Sequence, residues 1–231
     1  MARIKRGDLT KLQIIQVACK HFLENGYSTT SVKAICDELE MSPGNLTFYF
    51  PTKEHLLELL VDLLCRFQYQ LMEKEADDGL SSVIAVCLEL ATLAAACEED
   101  AAMYDCTFSA YTSPLCLAII RRNDAERAKK VFATYCSDWT DRQFAVSEML
   151  VSGIEYATIM QAGDVISLEA RIAGALHEIL SIYHVPHEVR QAKVERVLAM
   201  DYRRISRNVF TQFKSFVNEA NEQALHDLLK I

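Results

Sequence analysis

The chain has 231 residues, 51% of them hydrophobic and 24% charged, with a formal net charge of −8. That is enough apolar material to build a core, so the composition excludes a disordered polymer, and the length suits one large domain or a small domain joined to a larger one. Seven glycines and four prolines are few for this length, and with abundant Ala, Leu, Glu and Lys the sparse breakers predict an all-α protein.

Charge is unevenly spread from the start. Residues 1–56 hold seven basic against six acidic residues, with four of the bases in the first eleven positions. A weakly basic head on an acidic body is compatible with local contact to a polyanion, because phosphate binding depends on the potential at the interface. The opening MARIKRGDLTK has no apolar stretch behind its basic residues and does not read as a signal peptide.

Residues 9–25 place Leu12, Ile15, Ala18 and Phe22 on one helical face, and Gly26 supplies the stop. Thr29-Thr30-Ser31 is an N-cap cluster for a second, short helix with Val32, Ile35 and Leu39 on one side. Ser42 caps a third helix with Pro43 at its first position, where the missing N–H costs nothing. That helix is short, because Pro51 disfavours helical geometry at Phe50. Thr52 is expected to cap a long helix carrying Leu56, Leu57, Leu60, Leu63 and Leu64, continuing towards Met72 with no break before Gly79.

The run at 79–97 is the nearest thing to a membrane span, but Glu89 interrupts it, and a buried helix is the better reading. Further helical segments are expected near 80–98, 100–111, 114–137, 140–162, 167–185, 187–218 and 220–230. Their stops fall at Thr112-Ser113-Pro114, Ser137-Asp138, Gly163-Asp164 and Pro186. No repeat or low-complexity segment is visible.

A helix of about two turns, a tight turn and a second short helix opening Ser-Pro-Gly is the helix-turn-helix pattern. The second of these helices would lie in the major groove of double-stranded DNA with its N-terminal residues at base edges. There Gly44 lets the backbone approach closely, Ser42 and Thr47 offer hydroxyls without bulk, and Tyr49 reaches towards a phosphate. Lys53, at a helix N-terminus, adds charge, while Ser31 and Lys33 face the opposite backbone strand.

Residues 10–60 resemble the DNA-binding domain of the TetR family of transcriptional regulators. The likeness is carried by "FLENGYSTTSVKAI", then "SPGNL", an aromatic pair, Phe50 and "TKEHLLELL" at closely matching spacing. The resemblance implies an all-helical homodimer, with an operator-binding domain over 1–52 and a ligand-binding and dimerisation domain over 53–231. It places Ser31, Ser42, Pro43, Gly44, Phe48, Tyr49 and Lys53 at family positions that commonly touch DNA. Thr47 and Phe48 stand where the family often has two tyrosines, and Tyr49 where His is common.

In the remainder, Tyr104, Phe108 and Tyr111 share a helical face. With Met103, Phe132, Tyr135, Trp139, Tyr156 and Met160 they are the expected wall of a pocket for a small hydrophobic or amphipathic effector. Each taken singly also suits ordinary core packing. The eight cysteines contain no C-x-x-C, their spacing reads as free buried thiols, and the chain reads as cytoplasmic. His177, His184 and His187 are interrupted by Pro186 and form no metal pattern. No cofactor motif and no catalytic motif is present, so an enzyme is not expected. Segments 143–162, with Phe144, Met149, Gly153, Ile154, Ala157 and Met160, and 168–183, with Ile172, Ala175, Leu176 and Ile179, are the expected dimer interface, with intramolecular packing as the alternative. The reading is a ligand-responsive regulator, most simply a repressor, on a near-palindromic operator. The alternative is a helical small-molecule-binding or interaction protein whose N-terminal domain has lost DNA binding.

Overall fold

The computed structural model describes residues 6–77, 81–160, 165–220 and 222–229, which form twelve helices and no strand. The basic residues Arg3 and Lys5 and the breaks expected at Gly79 and Gly163-Asp164 lie outside the described residues, as do the side chains of Arg6 and Met72.

The first four helices are α1 (Arg6–Asn25), α2 (Val32–Glu38), α3 (Pro43–Tyr49) and α4 (Lys53–Asp77). Helix α1 buries Leu12, Ile15, Ala18 and Phe22 as its spacing predicts, and also Ile14, Cys19 and Leu23. It needs more than one apolar face because α2, α4, α6 (Ala101–Thr112), α11 (Tyr202–Glu219) and α12 (Glu222–Leu229) all pack on it. It stops at Gly26, whose φ of +90° carries its N–H back to Phe22 O at 2.8 Å.

The Ser31 hydroxyl accepts from Ala34 N at 3.0 Å and that of Ser42 from Asn45 N at 3.2 Å, so both short helices start on side-chain caps. Phe50 is extended, with φ −133° and ψ 99°, as the proline after it requires. Thr52 does not cap α4 through a backbone N–H as expected. Its hydroxyl is engaged with Nδ1 of His55 at 2.7 Å, a nearer partner one helical turn away.

The later helices are α5 (Ser82–Glu99), α6, α7 (Pro114–Val131), α8 (Asp141–Met160), α9 (Leu168–Ile182), α10 (His187–Ala199), α11 and α12. Helix α5 is the central element. It packs against α4, α6, α8, α9, α10 and α11, burying Val83, Ile84, Cys87, Leu90, Ala91, Ala94 and Ala95, which accounts for its unbroken apolar run. Among the described residues no helix is long and apolar enough to cross a membrane.

Two expected segments are divided differently. The one at 114–137 ends at Val131, where Phe132 turns inward to stack on Tyr183 with ring centroids 4.1 Å apart. The one at 187–218 breaks into α10 and α11, because Asp201 caps a new start by accepting from Arg204 N at 3.1 Å. No glycine or proline marks that break, so periodicity runs through it.

Two apolar clusters hold the molecule. One joins Phe22, Ile35, Leu46 and Phe50 of the N-terminal helices to Leu56 and Leu57 of α4, Met103 and Cys106 of α6, and Phe210 and Phe213 of α11. Full burial of a side chain such as Phe22 contributes roughly 1.5–3 kcal/mol. The other joins α5, α9 and α10 around Phe132 and Tyr183. The eight cysteines are free, seven of them buried.

The expected interface segments differ from each other. In α9, Ile172, Ala175, Leu176 and Ile179 are buried in the protomer's own core, and in α8 so is Phe144. Their apolar spacing reflects intramolecular packing. Helix α8 also has an outward stripe, with Val146, Met149, Leu150, Gly153 and Ala157 exposed.

Candidate functional site

The pair α2–α3 presents its polar and small residues outward. Lys33, Ser42, Pro43, Gly44, Asn45 and Thr47 are exposed, while Ile35, Leu46 and Phe50 anchor the pair from beneath. The turn between the helices runs through Glu40 at φ +51°, and Met41 N–H donates to Cys36 O at 3.0 Å to close it. Glu38 accepts from Lys20 Nζ at 3.1 Å and pairs with His21 Nε2 at 2.8 Å, which ties α2 to α1. Lys20, held chiefly by this bond, has its pKa raised, and the Glu38 carboxyl is held below its ordinary value by the same lysine.

On α3, the Thr47 hydroxyl donates to Gly44 O at 3.1 Å, so it turns back on its own helix. Phe48 is 80% exposed and meets Tyr49 edge-on, ring centroids 5.3 Å apart. An aromatic ring this exposed in water has nothing in the protomer to pack against beyond its neighbour, which suits an apolar contact with a partner such as a thymine methyl. Asn45 was not singled out by the sequence. Its exposed carboxamide stands one residue from Gly44 in the first turn, and a carboxamide there matches the donor–acceptor edge of adenine. Its cue in the sequence is the Asn that ends "SPGN", in the first turn of the helix.

Lys53 is placed differently from the other candidates. Its Nζ donates to Tyr27 O at 2.7 Å and Thr30 O at 2.9 Å and sits 4.1 Å from the centre of the Tyr27 ring. Burial holds this ammonium below the usual lysine range. The lysine clamps the α1–α2 turn to the start of α4, with at most one N–H left for a phosphate. The Ser31 hydroxyl accepts the α2 cap from Ala34 N and keeps its own O–H to donate.

A second site lies inside the body. Helices α4, α5, α6, α7 and α8 enclose a cavity of ≈ 90 Å³, walled by leucines including Leu60, Leu64, Leu90 and Leu93. Its polar lining is Gln68, Glu89, Tyr111, Asp124, Arg127 and Glu155. Arg127 donates to Glu89, and through Nη2 to Asp124 Oδ1 at 2.8 Å. The Tyr111 hydroxyl donates to Glu155 Oε2 at 2.9 Å. In an adjoining space lined by Phe132, the Tyr183 hydroxyl donates to Glu148. Burial pushes Asp124 up to about 6 and Glu148 up to about 8, and raises Glu155 well above the usual carboxylate range.

Of the nine residues expected to wall an effector pocket, Met103 and Tyr111 line this cavity and Phe132 the adjoining space. The other six line neither. Tyr104 stacks on the exposed Phe108, Tyr156 lies towards the surface 6.5 Å from Tyr111, and Trp139 packs edge-on against Phe144 at 5.1 Å. Tyr135 and Met160 pack on the second apolar cluster. Sequence reasoning missed Gln68, Asp124, Arg127 and Glu155. One cue was Glu89, the acid inside the apolar run of α5.

The two sites are joined through α6. On one side Met103, Thr107, Ala110 and Tyr111 line the cavity. On another, the Asp105 carboxylate accepts from the N–H and the hydroxyl of Ser28, each at 2.6 Å, and Cys106 Sγ–H points to Phe22 O at 3.2 Å. At the end of α6, the Ser113 hydroxyl donates to Glu54 in the first turn of α4.

Comparison with known proteins places the N-terminal part. Residues 14–60 match the model of the family described as bacterial regulatory proteins, tetR family. The HTH-type transcriptional regulator UidR of Escherichia coli K12 is 38% identical over 52 residues, which are 22% of this chain and 26% of that protein. The uncharacterized HTH-type transcriptional regulator YuxN of Bacillus subtilis is 48% identical over 44 residues, 19% of this chain and 15% of that protein. The matches thus span about a quarter or less of these relatives' length. A crystal structure of a gamma-butyrolactone receptor (ArpA-like protein) aligns with a TM-score of 0.45 at 17% identity, covering 83% of this chain and 97% of that one. The capped α2–turn–α3 unit and the sequence match coincide, and over residues 14–60 the chain carries the N-terminal domain of the tetR family of bacterial regulatory proteins.

Proposed function

We propose that this chain is an effector-responsive, DNA-binding transcriptional regulator of the cytoplasm, a repressor in its simplest form, acting as a homodimer on a near-palindromic operator. The reader occupies residues 1–52, and residues 53–231 form the effector and dimerisation body. The observation that carries this reading is the outward face of α3, where Ser42, Pro43, Gly44, Asn45 and Phe48 are all exposed on a helix anchored by buried Leu46. Ser31 and Lys33 at the start of α2 and Tyr49 at the end of α3 flank it and would meet the phosphate backbone, and Thr47 lies on the same helix.

The exposed α8 stripe supports the homodimer: Val146, Met149 and Leu150 are each about half exposed, 50%, 51% and 53%, in a line with the small Gly153 and Ala157. Two such readers would enter successive major grooves about 34–36 Å apart. A guest between α4 and α8 bears on α6 and α4 together. A displacement there would change the spacing of the readers and release DNA.

The test is a mobility-shift titration with DNA from upstream of the protein's own gene. Binding is expected to weaken with salt, and Lys33→Ala should reduce the salt slope by about one. The double variant Asn45→Ala/Phe48→Ala should lose about ten-fold or more in operator affinity, both residues being exposed and without a structural duty. Undiminished operator-specific binding by that variant, or sedimentation of the protein as a monomer at micromolar concentration, would overturn the reading.

A further inference from the structure

The lining of the cavity between α4 and α8 restricts what it can hold. Glu89, Asp124 and Glu155 border it, and Glu148 borders the adjoining space together with Asp124 and Glu155. Among the described residues lining the two spaces, Arg127 is the one cation facing these four carboxyl groups. Its guanidinium is engaged with Glu89 and Asp124, while Glu155 makes no ion pair with any described residue and receives the Tyr111 hydroxyl.

A second observation is independent of the acids. Gln68 is only 6% exposed and lines the same cavity, yet its side-chain amide has no hydrogen-bond partner among the described residues. Gln68 also lines the groove between α4, α5 and α11, so its amide atoms reach open space, and its carbonyl is free to accept from a guest with polar hydrogens.

We propose that this cavity takes a guest with a cationic head, an ammonium or amidinium, on a short apolar body. The head sits among Glu155, Asp124 and the Gln68 carbonyl, and the body lies against Leu60, Leu64, Leu90 and Leu93. At ≈ 90 Å³ the space is smaller than the roughly 150 Å³ that admits a benzene ring. The body is therefore a few carbons, or a larger one displaces leucines. That such a guest is the effector rests on the regulator reading above.

The carboxyl groups add a signature. Without a cation beside them Glu155 and Glu148 hold their protons at neutral pH, because burial outweighs the Arg127 charge. The groups facing this centre are Cys65 from α4, Cys87 and Glu89 from α5, Cys106 and Tyr111 from α6, Asp124 and Arg127 from α7, Glu148 and Glu155 from α8 and Tyr183 at the end of α9. Burial pushes the Cys106 thiol up to about 12, and the tyrosines are raised as well, so Asp124, at about 6, and Glu148, at about 8, are the groups that titrate between pH 5 and 9. A seated cation favours their ionised form, so its binding releases protons and tightens as pH rises through that range.

The experiment is a calorimetric titration of the full chain with three probes of one shape, small enough for the space: isopropylammonium, isopropanol and isobutyrate. An alkylammonium, with a pKa of about 10 or above, stays charged throughout. The ammonium should bind about ten-fold or more tighter than the alcohol, with proton release seen as a buffer-dependent heat, and the carboxylate should be weakest. Glu155→Gln should remove most of the ammonium's advantage while isopropanol binding is kept. The three probes on the unchanged protein give the answer even where that variant does not fold. Equal binding of all three, or preference for the alcohol or the carboxylate, overturns the inference whatever the DNA does. Preference for the ammonium with no change in operator affinity supports the cation site and instead removes it as the effector site.

Discussion

The α1–α3 reader and the chamber between α4 and α8 keep their polar groups in opposite places. In the reader, the interior is apolar, from Phe22 to Leu46, and polar atoms sit at helix ends, capped by Ser31 and Ser42. In the chamber, Glu89, Asp124, Glu148 and Glu155 are drawn inside around Arg127. The reader gains stability from every contact and leaves its outer face unsatisfied by anything in the protomer. The chamber gives stability away, since burying carboxyls costs more than filling the same volume with leucine. A cost kept in the interior is what the proposed cationic guest would offset.

The largest test of that difference is Arg127→Met. The substitution keeps the volume but leaves Glu89 and Asp124 facing each other without the guanidinium, and removing one partner of a buried pair costs about 3–5 kcal/mol. The loss should depend on pH with a definite sign. Asp124 is already raised to about 6 in the folded protein, above its unfolded value, so its contribution is fully present at low pH and fades as pH rises through the folded value. Losing the cation raises it further. Denaturant melts should therefore show the variant's deficit larger at pH 8 than at pH 5. A deficit that is flat with pH, or below about 1 kcal/mol, would mean that the carboxyls reach water and that the two regions place their polar groups alike.

The same contrast explains what was legible in the sequence. The reader could be placed nearly residue by residue because its signals are local. Gly26, the Ser31 and Ser42 caps, Pro43 and Pro51 each fix the backbone within a turn, and each acts as its residue type predicts. The chamber is assembled from residues of five successive helices, spread from Leu57 to Glu155, with Leu23 of α1. A charged residue inside a helix looks the same in one dimension whether it faces water or a cavity, so Asp124, Arg127 and Glu155 gave no signal. The aromatic residues at helical spacing did, and of them Tyr111 and Phe132 line the two spaces while the others pack elsewhere. The break at Met200-Asp201 was hidden for a related reason: Asp201 caps α11 with a side chain that is equally at home on a helix surface.

Gly26→Ala probes the seam between the two regions and should have the next largest effect. At φ +90° a side chain is strained, and an added Cβ would lie 2.8 Å from Oδ2 of Asp105, the group that holds Ser28. Relief of the clash would move the carboxylate off the α1–α2 turn. A loss of about 2 kcal/mol is expected from backbone strain and the displaced contacts. Because Asp105 belongs to the helix that walls the cavity, the variant should also bind operator more weakly at temperatures where it remains folded. Loss of stability with the same operator affinity would show that α6 does not transmit to the reader.

The smallest effect is expected at Glu40, and it has the opposite sign. The turn between α2 and α3 passes through this residue at φ +51°, a left-handed conformation that costs an L-residue about 1–2 kcal/mol and glycine little. The Glu40 side chain is exposed and has no hydrogen bond or ion pair among the described residues, so nothing it contributes offsets the strain. Glycine adds freedom to the unfolded chain, which returns part of the gain. Glu40→Gly should therefore stabilise the protein by about 1 kcal/mol or less, read as a rise of a few degrees in Tm. It also removes an acid from the rim of the reader, so operator affinity should rise slightly at low salt and match the unchanged protein at high salt. A fall in Tm would show that the turn depends on this carboxylate, and that the reader, like the chamber, keeps a polar group at a cost.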